Sequence, residues 1–153
     1  MFRGINAVNL DIKGRMAVPA KYRAHLTVAQ REEELIVTID TEQKCLLLYP
    51  ILEWEEIEKK IAALPSFHAA TRRIQRLLIG HATELALDGH GRILLPQLLR
   101  DYAEIEKKAI LLGQGNKFEI WSDILWESSR DQWLLESTLQ TDDLPEEIKS
   151  LTL

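Results

Sequence analysis

The chain has 153 residues, 46% hydrophobic and 28% charged, with 19 Lys plus Arg against 24 Asp plus Glu, giving a formal net charge of −5. A chain of this length and mixed composition can bury a core without staples, which excludes global disorder and gives one domain as the starting expectation. No apolar run approaches the roughly 18 residues of a membrane-spanning helix, the start MFRGINAVNLDIKGR has no signal-peptide pattern, and a lone cysteine excludes an internal disulfide. The expected setting is therefore the cytoplasm, without a membrane. An isoelectric point of about 5.4 weighs against nucleic acid as a partner, since neutralising phosphates calls for basic surface.

Part of the chain is written twice. Residues 10–23, LDIKGRMAVPAKYR, align without a gap on residues 87–100, LDGHGRILLPQLLR, and six of the fourteen positions are identical. The six are Leu10/Leu87, Asp11/Asp88, Gly14/Gly91, Arg15/Arg92, Pro19/Pro96 and Arg23/Arg100. Further on, YPILEWE (49–55) lies over WSDILWE (121–127) at an offset five residues shorter. Repeats are read before local structure because they decide the architecture. Two related units are expected, residues 5–52 and 81–124, with a helical connector at 53–80 and a C-terminal helix and tail at 125–153.

In chain order, each unit reads as strand, tight turn, strand, short helix and hairpin. Val8, Leu10 and Ile12 alternate with polar or small residues, and Leu85 and Leu87 repeat the pattern, which predicts strands. Short apolar runs at Met16–Val18 and Ile93–Leu95 end at Pro19 and Pro96, each suited to the first position of a helix. Those helices are expected to run through Tyr22 and Leu26, and through Leu99 and Tyr102. LIVTID and CLLLYP, answered by AILLG and KFEIW, predict two hairpins turning at Thr41–Lys44 and Gln114–Asn116. Cys45, within the first hairpin, is expected to pack as a strand residue.

In the connector, Trp54, Ile57, Ile61 and Leu64 step at helical spacing until Pro65. A second helix is expected with Ser66 as its cap and Phe67, Ala70, Ile74 and Leu77 on its apolar face. Ser122 is expected to cap a third helix reaching Leu135. The tail after Ser137, with Asp142, Asp143 and Pro145, carries no firm expectation of order.

The signature common to both units is D-x-x-x-R with Gly just before the Arg. Asp11 and Asp88 can accept backbone N–H groups in a tight turn, and Gly14 and Gly91 can take a positive φ, so these four are read as holding the loops. Arg15 and Arg92 have two readings: pairing with the Asp inside the fold, or presenting a planar fork to phosphate or to guanine O6 and N7. Charge is unevenly spread. Residues 1–25 hold five cations, Arg3, Lys13, Arg15, Lys21 and Arg23, against Asp11 alone; residues 66–81 hold Arg72, Arg73 and Arg76 with no acid. The rest of the chain is correspondingly acidic. A cluster such as Arg72–Arg76 is more often a solvated face than a contact.

Together, the turns LDIKGR and LDGHGR, each followed by Pro, and the segments CLLLYPILEW, RRIQRLLIGHA and GQGNKFEIW resemble the MraZ family of bacterial transcriptional regulators. The resemblance spans nearly the whole chain and weakens only in the acidic tail. It implies an α+β fold of two AbrB-like swapped-hairpin units forming one intramolecular β-barrel. It also implies a ring of protomers presenting D-x-x-x-R loops to double-stranded DNA. Asp11 and Arg15 take the first motif and Asp88 and Arg92 the second. His90 stands where the first motif has Lys13, so the first unit is expected to carry more of the charge attraction. The family is understood to bind direct repeats upstream of its own operon of division and cell-wall genes and to repress it, which implies a nucleoid-associated protein.

On that reading Arg15 and Arg92 meet guanine edges while Lys13 and Arg3 hold phosphates. An enzyme is the weaker class, because no phosphate-loop or nucleophile-elbow pattern occurs. His25, His68, His81 and His90 lack ligand spacing and Cys45 has no second thiol, so neither metal nor cofactor is expected. The remaining alternative is a partner-binding module of the AbrB type with no DNA target of its own.

Overall fold

The computed structural model describes residues 1–26, 34–136 and 144–152. Its elements are β1 (Phe2–Asn9), β2 (Arg15–Ala17), α1 (Ala20–Leu26), β3 (Glu34–Ile39), β4 (Leu46–Pro50) and α2 (Ile51–Ala62). After α3 (Ala69–Ile74), which runs on into a π turn at Gln75–Ile79, come β5 (Thr83–Ala86), β6 (Arg92–Leu94) and α4 (Gln97–Tyr102). The chain continues through β7 (Lys108–Gly115), β8 (Phe118–Ser122), α5 (Asp123–Leu135) and α6 (Glu146–Lys149). The class is α+β, as expected, and the named strand pairings are antiparallel.

The strands pair across the two units more than within them. A six-stranded sheet has the order β1-β7-β8-β4-β3-β5, and β2 pairs with β6 in a separate two-stranded ribbon. The first strand of each unit thus lies on the hairpin of the other, β1 on β7 and β5 on β3. Equivalent residues face each other at two places: Met16 opposite Ile93 in the ribbon, and Leu47 opposite Glu119 between β4 and β8. Antiparallel pairing of equivalent positions marks a local two-fold axis, so the repeat in sequence becomes a pseudo-two-fold in space.

One core serves both units. Met16, Val18, Leu46 and Leu48 of the first and Ile93, Leu95, Leu111 and Phe118 of the second are wholly buried in the same cluster. Phe118 lies 4.2 Å from Phe2 and 4.8 Å from Tyr22, ring centre to ring centre, so an aromatic trio also crosses the boundary. Two smaller clusters flank the sheet. Trp54 of α2 packs on Ile36, Leu47 and Tyr49, while Trp121 and Trp126 enclose Cys45. Cys45 is buried, but it lies in the turn just before β4 and is not a strand residue; its burial, with the charges of Glu119 and Asp40, pushes its thiol pKa well up, which leaves it unreactive.

Several local expectations need correction. Ile12 is not a strand residue: β1 ends at Asn9, and Ile12 stands fully exposed at the tip of the turn, because the Asp11 carboxylate turns the chain there. Pro96 is the cap of α4 and not its first residue, its ψ of 142° being extended. The cap of α3 is His68, whose Nδ1 accepts from the Ala70 N–H, and not Ser66; Phe67, expected on the apolar face, is 94% exposed. Leu64 lies past the end of α2 and is exposed as well. Ser122 caps α5 as expected, accepting from Leu125 N–H at 3.0 Å. Asp142 and Asp143 lie outside the described residues.

The second match in sequence, YPILEWE over WSDILWE, is also matched in structure. The shorter offset maps β4 onto β8 and carries α2 onto α5, so that Trp54 and Trp126, both buried, are equivalents. The helix that opens the connector therefore has its counterpart in α5.

Because the core is shared, Phe118→Ala is expected to cost about 3–5 kcal/mol and to leave a single urea transition, with tryptophan fluorescence and far-UV circular dichroism moving together. Two separated transitions would show that the units unfold independently.

Candidate nucleic-acid interface

Each D-x-x-x-R loop is organised by one carboxylate. Asp11 Oδ1 accepts the backbone N–H of Lys13 at 3.0 Å and of Arg15 at 2.9 Å, and Oδ2 accepts Arg15 Nε at 2.7 Å. The second loop repeats this: Asp88 Oδ1 accepts from the N–H groups of His90 and Arg92 at 2.8 and 2.9 Å, and Oδ2 from Arg92 Nε at 2.8 Å. Carboxylates that accept several N–H bonds are stabilised in the charged form. The Arg92 N–H foremost, then those of His90 and the guanidinium, hold the Asp88 pKa down to about 2. Asp11 is lowered for the same reason, led by the Arg15 N–H.

The two loops are brought side by side. Gly91 C=O accepts from Val18 N–H at 2.9 Å and Gly14 C=O from Leu95 N–H at 3.0 Å, extending the ribbon into both turns. Arg92 Nη1 approaches Asp11 Oδ2 at 3.9 Å, so the acidic and basic groups of both loops form one cluster. Met16 and Ile93 point inward and are wholly buried; by strand alternation Arg15, Ala17, Arg92 and Leu94 occupy the outward face. The pairing reading of the arginines is what the structure shows. Each is paired with its Asp through Nε, and the side chains of Arg15 and Arg92 remain 32% and 31% exposed.

The glycines are required by their backbone and are closely overlain by side chains. Gly14 and Gly91 have φ of 85° and 71°, where a Cβ is strained. A Cβ at Gly91 would also overlap the guanidinium of Arg23, and one at Gly14 that of Arg100. Arg23 Nε donates to Val18 C=O at 2.7 Å and Arg100 Nε to Leu95 C=O at 2.9 Å, so each cation braces the end of its own strand and lies beneath the other unit's turn. Sequence reasoning missed this role. The signal available was that Arg23 and Arg100 are identical in the two copies.

Lys13 is exposed on the first loop and His90 on the second. Arg3 is not brought to this cluster: it pairs opposite Gln114 near the start of β1, about 20 Å along the strand from the loop at 3.3 Å per residue. Arg72, Arg73 and Arg76 are exposed on α3 and its π turn, with Arg73 4.0 Å from Glu42. His25 and His81 bond to backbone carbonyls of their own helical turns. Among the described residues, Asp40, Cys45 and Glu119 bring one potential ligand atom each within 4.8 Å of one another. Both carboxylates there already have structural tasks, Asp40 accepting from Glu42 and Gln43 N–H and Glu119 from Trp121 Nε1.

Gly91→Ala is expected to destabilise the fold by about 1–2 kcal/mol from its backbone alone, whereas Gly89→Ala in the same turn, with nothing within 4 Å of the added Cβ, is expected to be near neutral; urea midpoints compare the two. The lowered Asp88 pKa makes its contribution fully present above the unfolded value of about 4 and lost as pH falls through the folded value of about 2. The stability difference between the parent and Asp88→Asn should accordingly shrink on acidification from about pH 4 towards pH 2, read from urea midpoints along the titration.

Comparison with known proteins agrees with this duplicated plan. Residues 1–77 and 78–143 each match the family model of the MraZ protein, whose description adds the words antitoxin-like. A protein named transcriptional regulator MraZ from Legionella pneumophila is 57% identical over 153 residues, covering all of both chains. Proteins of the same name from Coxiella burnetii and Halorhodospira halophila are 53% and 50% identical over the same full length. The chain belongs to the MraZ family.

Proposed function

We propose that this protein is a DNA-binding transcriptional regulator that reads the major groove with the β2–β6 ribbon. The observation that carries this reading is the pair of Asp-oriented arginines set side by side on its outward face. A major groove about 12 Å wide admits a two-stranded ribbon, and an Arg can bond guanine O6 and N7 together. Pairing each Arg with an Asp through Nε favours base reading over phosphate clamping. The carboxylate cancels the net charge that a phosphate would seek, while holding the guanidinium in one orientation through Nε. Lys13, exposed beside Arg15, supplies the phosphate contact in the first loop. Arg3, further along β1, supplies a separate phosphate contact away from the loops.

The further expectations follow from family membership and remain our proposal. The units 5–52 and 81–124 close into an intramolecular swapped-hairpin barrel, for which the reciprocal pairing of β1 with β7 and β5 with β3 is the support. Protomers assemble into a ring that aligns several ribbons with direct repeats upstream of the protein's own operon, and occupancy of that site represses it. Linking weak contacts raises the effective concentration of each next one, so the array binds tightly where one protomer binds poorly. The protein then acts on nucleoid DNA in the cytoplasm, as a regulator and not an enzyme. Among the described residues, no helix is long and apolar enough to cross a membrane.

A mobility-shift titration on the DNA upstream of the gene tests the reading. Folded Arg15→Ala and Arg92→Ala are each expected to lose about 1–3 kcal/mol of discrimination between upstream and unrelated duplexes. Lys13→Ala should weaken both duplexes alike and reduce the slope of log K against log salt by about 1. Unchanged binding by folded Arg15→Ala would overturn the role given to the loop, and a parent protein without affinity for the upstream duplex would favour a partner-binding module.

A further inference from the structure

The ribbon is two-fold in its backbone but not in its outward side chains. Equivalent positions hold Ala17 in the first unit and Leu94 in the second, so Arg15 stands opposite Leu94 while Arg92 stands opposite Ala17. Leu94 is 53% exposed, although its ribbon neighbours Ile93 and Leu95 are wholly buried. The difference extends beyond this pair. The first unit has Lys13 and Lys21 where the second has His90 and Leu98, and Leu98 is exposed as well. An apolar side chain on the outward face, beside the four-residue Asp–Arg cluster, does nothing for the core, which is already filled from the inward face.

We propose that Leu94 is a specificity-determining residue that packs on the 5-methyl group of a thymine beside the base met by Arg15. This rests on the DNA reading given above. Directly opposed residues of an antiparallel pair have Cβ atoms about 5 Å apart, and successive base pairs rise about 3.4 Å, so a leucine across from Arg15 falls on an adjoining base pair. The thymine methyl is the apolar feature on the major-groove edge, and apolar side chains recognise it by contact. Lys13, exposed on the adjoining loop, supplies the attraction to DNA, and Arg15 stands directly across the ribbon from the leucine. Because Ala17 is too short to make the equivalent contact, the two halves of one protomer read different bases, and the site acquires a direction.

The test compares two versions of the same duplex from upstream of the gene, one amplified with thymidine triphosphate and one with deoxyuridine triphosphate, which removes the methyl groups and leaves base pairing intact. Parent protein should bind the uracil duplex at least about fourfold more weakly, the value of one buried methyl-sized group. Leu94→Ala should bind both duplexes equally, at the level of the parent on uracil DNA. Circular dichroism and light scattering should show the parent's fold and mass, as expected for an exposed side chain. A parent that binds both duplexes equally, or a Leu94→Ala protein that keeps the parent's thymine preference, would overturn the proposal while leaving the DNA reading intact. A change of mass with the preference retained would assign Leu94 to contacts between copies. Absence of binding to either duplex would sink the proposal together with the reading on which it rests.

Discussion

Met16 and Ile93 face each other across the two-fold, fully out of solvent, and this contact governs what the surface shows. Side chains alternate along a strand, so committing these two to the core commits their neighbours to the outside, and a slip of one residue would reverse both sets. A three-residue strand has little intrinsic stability of its own. Its register is held by the shared core below and by the turn hydrogen bonds at each end, from Val18 and Leu95 to the glycine carbonyls of the other unit.

The loops are correspondingly joint products of both units. Asp11 shapes the first turn, but Arg100 from the second unit lies under its glycine; Asp88 shapes the second, with Arg23 of the first beneath. Repeated motifs are often read as independent copies of a site. Here each copy is finished by the other, and the exchange of first strands between hairpins ties that dependence into the sheet. The arginines at the surface are oriented by groups that are themselves fixed, which removes much of the side-chain entropy that a free arginine would lose on contact.

Much of this plan is legible in the chain because the same constraint is written twice. Asp, Gly, Arg and Pro at fixed spacing announce a turn, and the repeated apolar positions announce strands. What periodicity cannot supply is the partner of each strand: Leu10 and Leu87 read alike, and nothing local says that β1 leaves its own hairpin. Ile12 misleads for a related reason, since alternation continues through it while the Asp11 carboxylate has already ended the strand. Phe67 misleads because Ser66 offers a cap ahead of it, whereas His68 caps the helix two residues later. Arg23 and Arg100 are identical across the repeat, but their task is visible only when the other unit's glycine is seen above them.

Holding both halves in one polypeptide has an evolutionary consequence. In a dimer of identical chains, any substitution on a symmetric ribbon appears on both strands, and the preferred target is bound to be a palindrome. Here a substitution appears once. Ala17 and Leu94 occupy one structural position with different side chains, which identical subunits cannot do. Duplication has therefore uncoupled the scaffold, which retains its symmetry, from the outward face of the ribbon, which is free to diverge residue by residue.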